Sequence, residues 1–281
     1  MELEPTSSYD GNCHCGRYRF EVSLSAKISS RFACSCTLCA KKGYLWLAIP
    51  EGALKVTRDD GCLTEYQSAA ARDKFCGHCG TGVVGEHLDG PLRGHLLVNI
   101  RALQGVNPFS LEASDTIEAV AVQDTRLFEP VTAPSDPPAQ HLLSCHCRNV
   151  QAELLAPLSS LEAKEDNCSS CVRNAFVGVY PNKDQVRLYG KEHTFEYQYG
   201  RKYIGLVYCK ACGVNVYNTV YGPPLSIFDS VPPERKEHVM AVYRKNLAVQ
   251  PLNVRTIENL DLASVRVEKS DEGTEGYVLG L

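Results

Sequence analysis

A chain of 281 residues, 44% hydrophobic and 22% charged, has ordinary globular composition and more length than one typical domain needs. Its net charge of −4, with Lys and Arg scattered, lacks the footprint of a polyanion binder, so no nucleic-acid partner is expected. The acidic opening "MELEPTSSYD" and the lack of any apolar run near ~20 residues lead us to expect an unexported, cytoplasmic protein with no membrane contact.

Taken in chain order, the first element is the C-x-C pair Cys13 and Cys15, followed by "RYRFEVSL", whose alternation predicts a strand. "CSCTLCAKKG" sets Cys34, Cys36 and Cys39 at C-x-C-x-x-C spacing, and the apolar run "YLWLAI" predicts a strand with Trp46 in the core. After "LTEYQ" comes the C-x-x-C pair Cys76 and Cys79, then another strand in "GHLLVNI". Four prolines between Glu129 and Gln140 predict an extended linker. We place a first domain at 1–131, the Pro-rich linker at 132–140 and a second domain at 141–281.

The second half repeats the first. Cys145 and Cys147 answer Cys13 and Cys15 at an offset of 132, as Cys168 and Cys171 answer Cys36 and Cys39, while Cys209 and Cys212 answer Cys76 and Cys79 at 133. "AFVGVY" and "IGLVY" predict further strands, and "LNVRTI" answers "VNIRAL" at an offset of 154. An insertion of about 21 residues therefore enters the second repeat, within about 223–250. It carries the one clear helical pattern, with Val239, Met240, Tyr243 and Leu247 at helical spacing and Ser230 as the expected N-cap. This helix could cover a metal site or face the other domain.

Fourteen cysteines in a long chain, grouped in pairs and triplets, point to metal ligation rather than a disulfide framework. Cys13, Cys15, Cys76 and Cys79 make a closed four-thiolate set, and Cys145, Cys147, Cys209 and Cys212 make another; both are expected to hold structural Zn²⁺. Cys34, Cys36 and Cys39 form a set of three, and so do Asp166, Cys168 and Cys171, because Asp166 stands opposite Cys34. Three protein ligands plus one exchangeable position is how reactive zinc sites are built, so these six residues are the catalytic candidates. Two alternatives stay open: a histidine such as His14 or His78 closes the first site, or Asp166 is a solvated loop residue. Tyr66, Ser68 and Arg72, with Tyr197, Tyr199 and Arg201, could relay a proton or meet a carboxylate, or belong to strand surface and packing. Arg101 and Arg255 recur in both repeats, which a structural salt bridge explains as well as a functional role does, and Cys62 reads as a buried or incidental thiol.

"GNCHCGRYRFEV", "CSCTLCAKKG" and "YQSAAARDKFCGHCGTGV" together resemble the signature of the glutathione-dependent formaldehyde-activating enzyme family, which includes centromere protein V. The second repeat resembles it more loosely, with Arg148 in place of a glycine, Asp166 in place of a cysteine, and stretched spacing after "CKACG". The resemblance implies a mainly β fold of two Mss4-like zinc domains in tandem, one structural and one reactive zinc per complete domain. It also implies carbon–sulfur lyase chemistry, the reversible union of formaldehyde and glutathione into S-hydroxymethylglutathione. The alternative is a non-catalytic, zinc-stabilised protein-interaction module of the centromere protein V or Mss4-like type. No nucleotide fingerprint is present.

Overall fold

The computed structural model describes residues 7–113, 137–273, 277 and 279, so 132–136 of the expected linker lie outside the described residues. The chain is mainly β. In the first half, β1 (Ser7–Asn12), β2 (Tyr18–Leu24) and β5 (Leu54–Asp59) form a three-stranded antiparallel sheet in that order. Tyr18, Phe20 and Val22 point to one face of β2 and are buried, which is the alternation seen in the sequence. The other strands are β3 (Ser30–Ala33), β4 (Leu45–Ala48), β6 (Leu63–Gln67), β7 (Ala71–Cys76), β8 (Gly82–His87), β9 (Leu97–Asn99) and β10 (Glu112–Ala113). They form a seven-stranded sheet in the order β10-β3-β4-β9-β8-β7-β6.

The second half builds the same two sheets. β11 (His141–Ser144), β12 (Gln151–Leu154) and β15 (Val186–Tyr189) form the small one. β13 (Ala163–Asp166), β14 (Val177–Val179), β16 (Thr194–Tyr197), β17 (Ile204–Cys209), β18 (Asn215–Val220), β19 (Leu252–Asn253) and β20 (Val267–Ser270) form the large one, ordered β20-β13-β14-β19-β18-β17-β16. Each large sheet has its parallel pairing at the same place, β10 with β3 and β20 with β13. No sheet contains strands from both halves among the described residues, an arrangement consistent with tandem Mss4-like β domains.

Three α-helices lie among the described residues. Each triplet runs into one short helix that holds its last cysteine, α1 (Thr37–Lys42) with Cys39 and α2 (Ser169–Asn174) with Cys171, both ending in a left-handed residue, Gly43 and Ala175. The third, α3 (Pro233–Leu247), lies in the insertion as expected, but Ser230 does not cap it. Pro232 holds the N-cap position in extended conformation and Pro233 opens the helix, since proline's fixed φ suits a first turn and its missing N–H costs nothing there. No described helix is long and apolar enough to cross a membrane.

The halves meet in an interface in which several contacts occur twice with the roles exchanged, as in an isologous dimer. His14 Nδ1 lies 2.8 Å from the Tyr197 hydroxyl, and its counterpart His146 Nδ1 lies 2.8 Å from the Tyr66 hydroxyl. Lys41 Nζ donates to the Ser144 carbonyl at 2.9 Å, while the Arg173 guanidinium donates to the Asn12 carbonyl at 3.3 Å. Gly80 packs under the Tyr208 ring and Gly213 under the Phe75 ring, positions where a Cβ would collide with the aromatic face. At the centre, Arg101 and Arg255 each place a guanidinium 3.3 Å from Glu165 Oε1. The expected salt bridge is thus one buried triad shared between the halves.

Two substitutions test this interface by urea denaturation. Glu165→Gln strands two desolvated arginines and is expected to cost about 3–5 kcal/mol. Gly43→Ala is expected to cost about 2–4 kcal/mol, because a methyl there overlaps that of Ala175 and meets Arg255 Nε at 2.9 Å on a residue with φ of 59°. Gly52→Ala, also left-handed but with open space around it, is expected to cost only about 1–2 kcal/mol.

Candidate metal centres

Hairpins deliver the four-cysteine groups. Cys13 and Cys15 sit in the tight turn between β1 and β2, while Cys76 and Cys79 flank the turn between β7 and β8, and the second half repeats the arrangement. Sγ–Sγ separations are 3.6 Å for Cys13–Cys15 and 3.7 Å for Cys15–Cys76. In the second half, they are 3.5 Å for Cys145–Cys147 and 3.4 Å for Cys147–Cys209. The edge of a tetrahedron built on zinc–sulfur bonds near 2.3 Å is about 3.8 Å, so the donor sets fit a four-coordinate metal. Cys62 lies beside the first group, its Sγ 3.6 Å from Cys76 Sγ, and burial raises its thiol pKa.

Each triplet is wound around the start of a short helix. The Cys36 amide donates to Cys34 Sγ at 3.4 Å, and at the same point of the second half the Cys168 amide donates to Asp166 Oδ1 at 3.2 Å. The carboxylate oxygen therefore occupies the place of the missing thiol, and within each triplet the donor atoms lie within 4.8 Å of one another. Both triplets could hold a metal ion. Such crowded thiols resist joint ionisation: hydrogen bonds from Cys36 and Cys39 hold Cys34 well below the usual thiol range, and that interaction pushes Cys36 up to about 12. A cation removes the conflict, which is why this donor chemistry suits one.

The two triplets differ in their surroundings. Cys34, Cys36 and Cys39 are buried, and Trp46 donates its indole N–H to Cys39 Sγ at 3.2 Å. Trp46 is core, as expected, yet it also touches a candidate ligand. His87, 3% exposed, brings Nε2 to 3.8 Å from Cys39 Sγ. Cys168, Cys171 and Asp166 are only partly buried. Tyr180 lies near them, its phenol pushed up to about 12 by burial and then by the charges of Cys171, Asp166 and Cys168.

His87 is not among the sequence candidates because it belongs to no cysteine motif and its repeat counterpart is Val220. A usable signal lies in strand β8, where Gly85 and His87 share a face and Gly85 seats the Trp46 ring. The histidines considered for closing the site are elsewhere. His14 is engaged by Tyr197 and Ser169, and its pKa is lowered to about 4 by burial and then by Arg173. His78 packs edge-on against Tyr197. Of the suggested relay residues, Tyr66 and Tyr197 fasten the interface, Ser68 closes a turn onto the Ala71 carbonyl, and Arg72 is held on the surface by Gln67. Tyr199 bonds the Ser170 hydroxyl at 2.6 Å, beside the second triplet.

Near the first triplet the two halves also differ in polarity. Lys42 pairs with Asp73 at 2.5 Å, with the Tyr44 hydroxyl on the same carboxylate, all buried; the repeat places Asn174, Leu206 and Phe176 there.

Residues 8–113 match the family model described as glutathione-dependent formaldehyde-activating enzyme. A Phaeosphaeria nodorum protein provisionally given that name is 34% identical over 109 residues, covering 37% of this chain and 52% of that protein. An Emericella nidulans protein of the same provisional name is 27% identical over 99 residues, covering 33% and 50%. The chain thus spans about half the length of these curated relatives. The crystal structure of a Rhodobacter sphaeroides protein aligns with 46% of this chain and 99% of its own, at 20% identity and a TM-score of 0.33, too low to carry a statement about the fold. Residues 8–113, which hold the motifs and cysteine groups of the first half, are thus similar to the glutathione-dependent formaldehyde-activating enzyme family.

Proposed function

We propose that the protein is a zinc-dependent carbon–sulfur lyase-like enzyme acting on the adduct of a glutathione-type thiol with a small carbonyl such as formaldehyde. One observation carries this reading: each half sets one closed group of four thiols beside one group of only three donors. A tetrahedral ion held by three protein donors has one position left for an exchangeable sulfur. When bound, zinc would supply the acidity that turns an incoming thiol into a thiolate.

The chain's own groups then have defined tasks. Cys34, Cys36 and Cys39 fix where the substrate sulfur docks, and Trp46, through its bond to Cys39, holds that thiol in one orientation. His87 Nε2, next to Cys39, is the imidazole placed to take the thiol proton and return it to the new hydroxyl. In synthesis, the sulfur lone pair forms the C–S bond to the carbonyl carbon, the C=O π pair moves to oxygen, and oxygen gains the proton that sulfur lost. Lyase action is the reverse. The donor set Asp166, Cys168 and Cys171 supplies one fewer thiolate, and its harder oxygen leaves a bound metal more electrophilic. The packing of Trp46 and Leu92 around the first triplet keeps water from the reacting thiolate.

Elemental analysis of untagged protein is expected to give about four zinc ions per chain, one for each donor group, and Cys36→Ser about three. About two in the unaltered protein would leave only the closed groups filled and overturn the enzyme reading. His87→Ala is expected to keep its metal while losing on the order of 10²-fold in the rate of S-hydroxymethylglutathione formation. An unchanged rate would remove His87 from the chemistry.

A further inference from the structure

The triplets occupy the same point of the repeat in opposite surroundings. Against the first, Trp46, Ala71, Leu92 and Leu97 pack with the three cysteines into one buried cluster, and His87 reaches Cys39 from the end of β8. In the second half the counterparts are Gly178 for Trp46, Ile204 for Ala71, Val220 for His87 and Pro251 for Leu97, while Tyr180 stands in the place of Ala48. The loop carrying Leu92 becomes the longer insertion with α3.

Strand pairing makes this comparison firm. Ala71 pairs with His87 across β7 and β8, and Ile204 pairs with Val220 across β17 and β18. Val220 therefore stands where, in the first half, an imidazole touches a candidate ligand. Over Gly178, where the indole would stand, lie Phe176 and Tyr180, and Tyr180 also lies near the second triplet. Tyr180, Ile204, Val220 and Pro251 form one wall of a cavity of about 790 Å³, and the α3 side chains Val239, Val242 and Tyr243 form the other. That volume lies within the range of small-molecule sites. Ile204 and Val242 are 47% and 45% exposed, so this wall is open to solvent.

We propose that this cavity and the Asp166–Cys168–Cys171 triplet are one site, and that it takes a thiol, or its carbonyl adduct, whose carbon end is an apolar chain or ring lying under α3. The assignment rests on the reading that a substrate sulfur docks at the three-donor groups. Glutathione carries two carboxylates and an ammonium; of the lining side chains only Arg235 and His238, exposed on α3, can meet a carboxylate, no acidic residue lines the cavity to meet the ammonium, and the apolar wall would desolvate the rest. An alkyl or aryl thiol instead gains from every methylene buried.

The test uses the full-length Cys36→Ser protein loaded with Co²⁺, so that the second triplet is the three-donor group reporting, and follows the thiolate-to-cobalt absorption during titration with 1-hexanethiol and with glutathione. Hexanethiol is expected to bind at least about tenfold tighter. Val242→Arg, which sets a guanidinium over the apolar wall from an exposed position, is expected to abolish that preference. Equal affinities, as a cavity reserved for another protein segment would give, or a preference that survives Val242→Arg, would overturn the cavity assignment while leaving sulfur docking at the triplet intact. If neither thiol alters the absorption, the docking reading itself fails and takes this assignment with it.

Discussion

A single carboxylate organises the interface on which the rest of the molecule depends. Arg101 and Arg255 are repeat counterparts, each donating its Nε–H to the carbonyl of the left-handed residue that ends a short helix, Gly43 or Ala175. The duplication of the pattern brings two buried guanidinium groups together. Burial, and then the charge of Arg255, pulls Arg101 down to about 10. Glu165 opposes both charges, and its counterpart in the first half is Ala33, so it has no twin. A symmetric pair of cations has here been met by one anion, and strict symmetry between the halves ends at that residue.

From that break outward the halves diverge in chemistry while keeping one topology. The first closes its triplet with an indole, an imidazole and a leucine, and stores a buried Lys42–Asp73–Tyr44 cluster beside it. Its counterpart has the uncharged Asn174, Leu206 and Phe176 at those places and adds the inserted helix α3. Because buried charge must be fully paired to be tolerated, the loss of Asp73's equivalent had to accompany the loss of Lys42's, and Leu206 with Asn174 shows that outcome.

Much of this was legible in the order of residues. Cysteine spacing located the four donor groups, because metal geometry demands close pairs, and their offsets of 132 and 133 pointed to two similar halves. Strands such as Tyr18–Leu24 and Ile204–Cys209 followed from alternation and apolar runs. What stayed hidden depends on contacts between distant segments. His87 meets Cys39 only because β8 and β4, the strand that follows α1, flank β9 in one sheet, and Tyr66 meets His146 only because the halves dock. The helices that hold Cys39 and Cys171 are six residues each, too short for a periodic signal. Ser230 was read as a cap by composition, whereas the consecutive prolines decided where α3 starts.

The contact between Gly43 and Ala175 bears on how such a chain can change. Where two equivalent backbone turns cross, there is room for one methyl, and the second half holds it. A copy of the first half facing itself would bring glycine to glycine and leave the crossing free. Two copies of the second half would bring methyl onto methyl and push the turns apart. The partnership is therefore one-sided: the second half has grown a surface that only the first half's bare backbone can accept, so drift at either position is constrained by the other, and the order in which the pair could have been altered runs in a single direction.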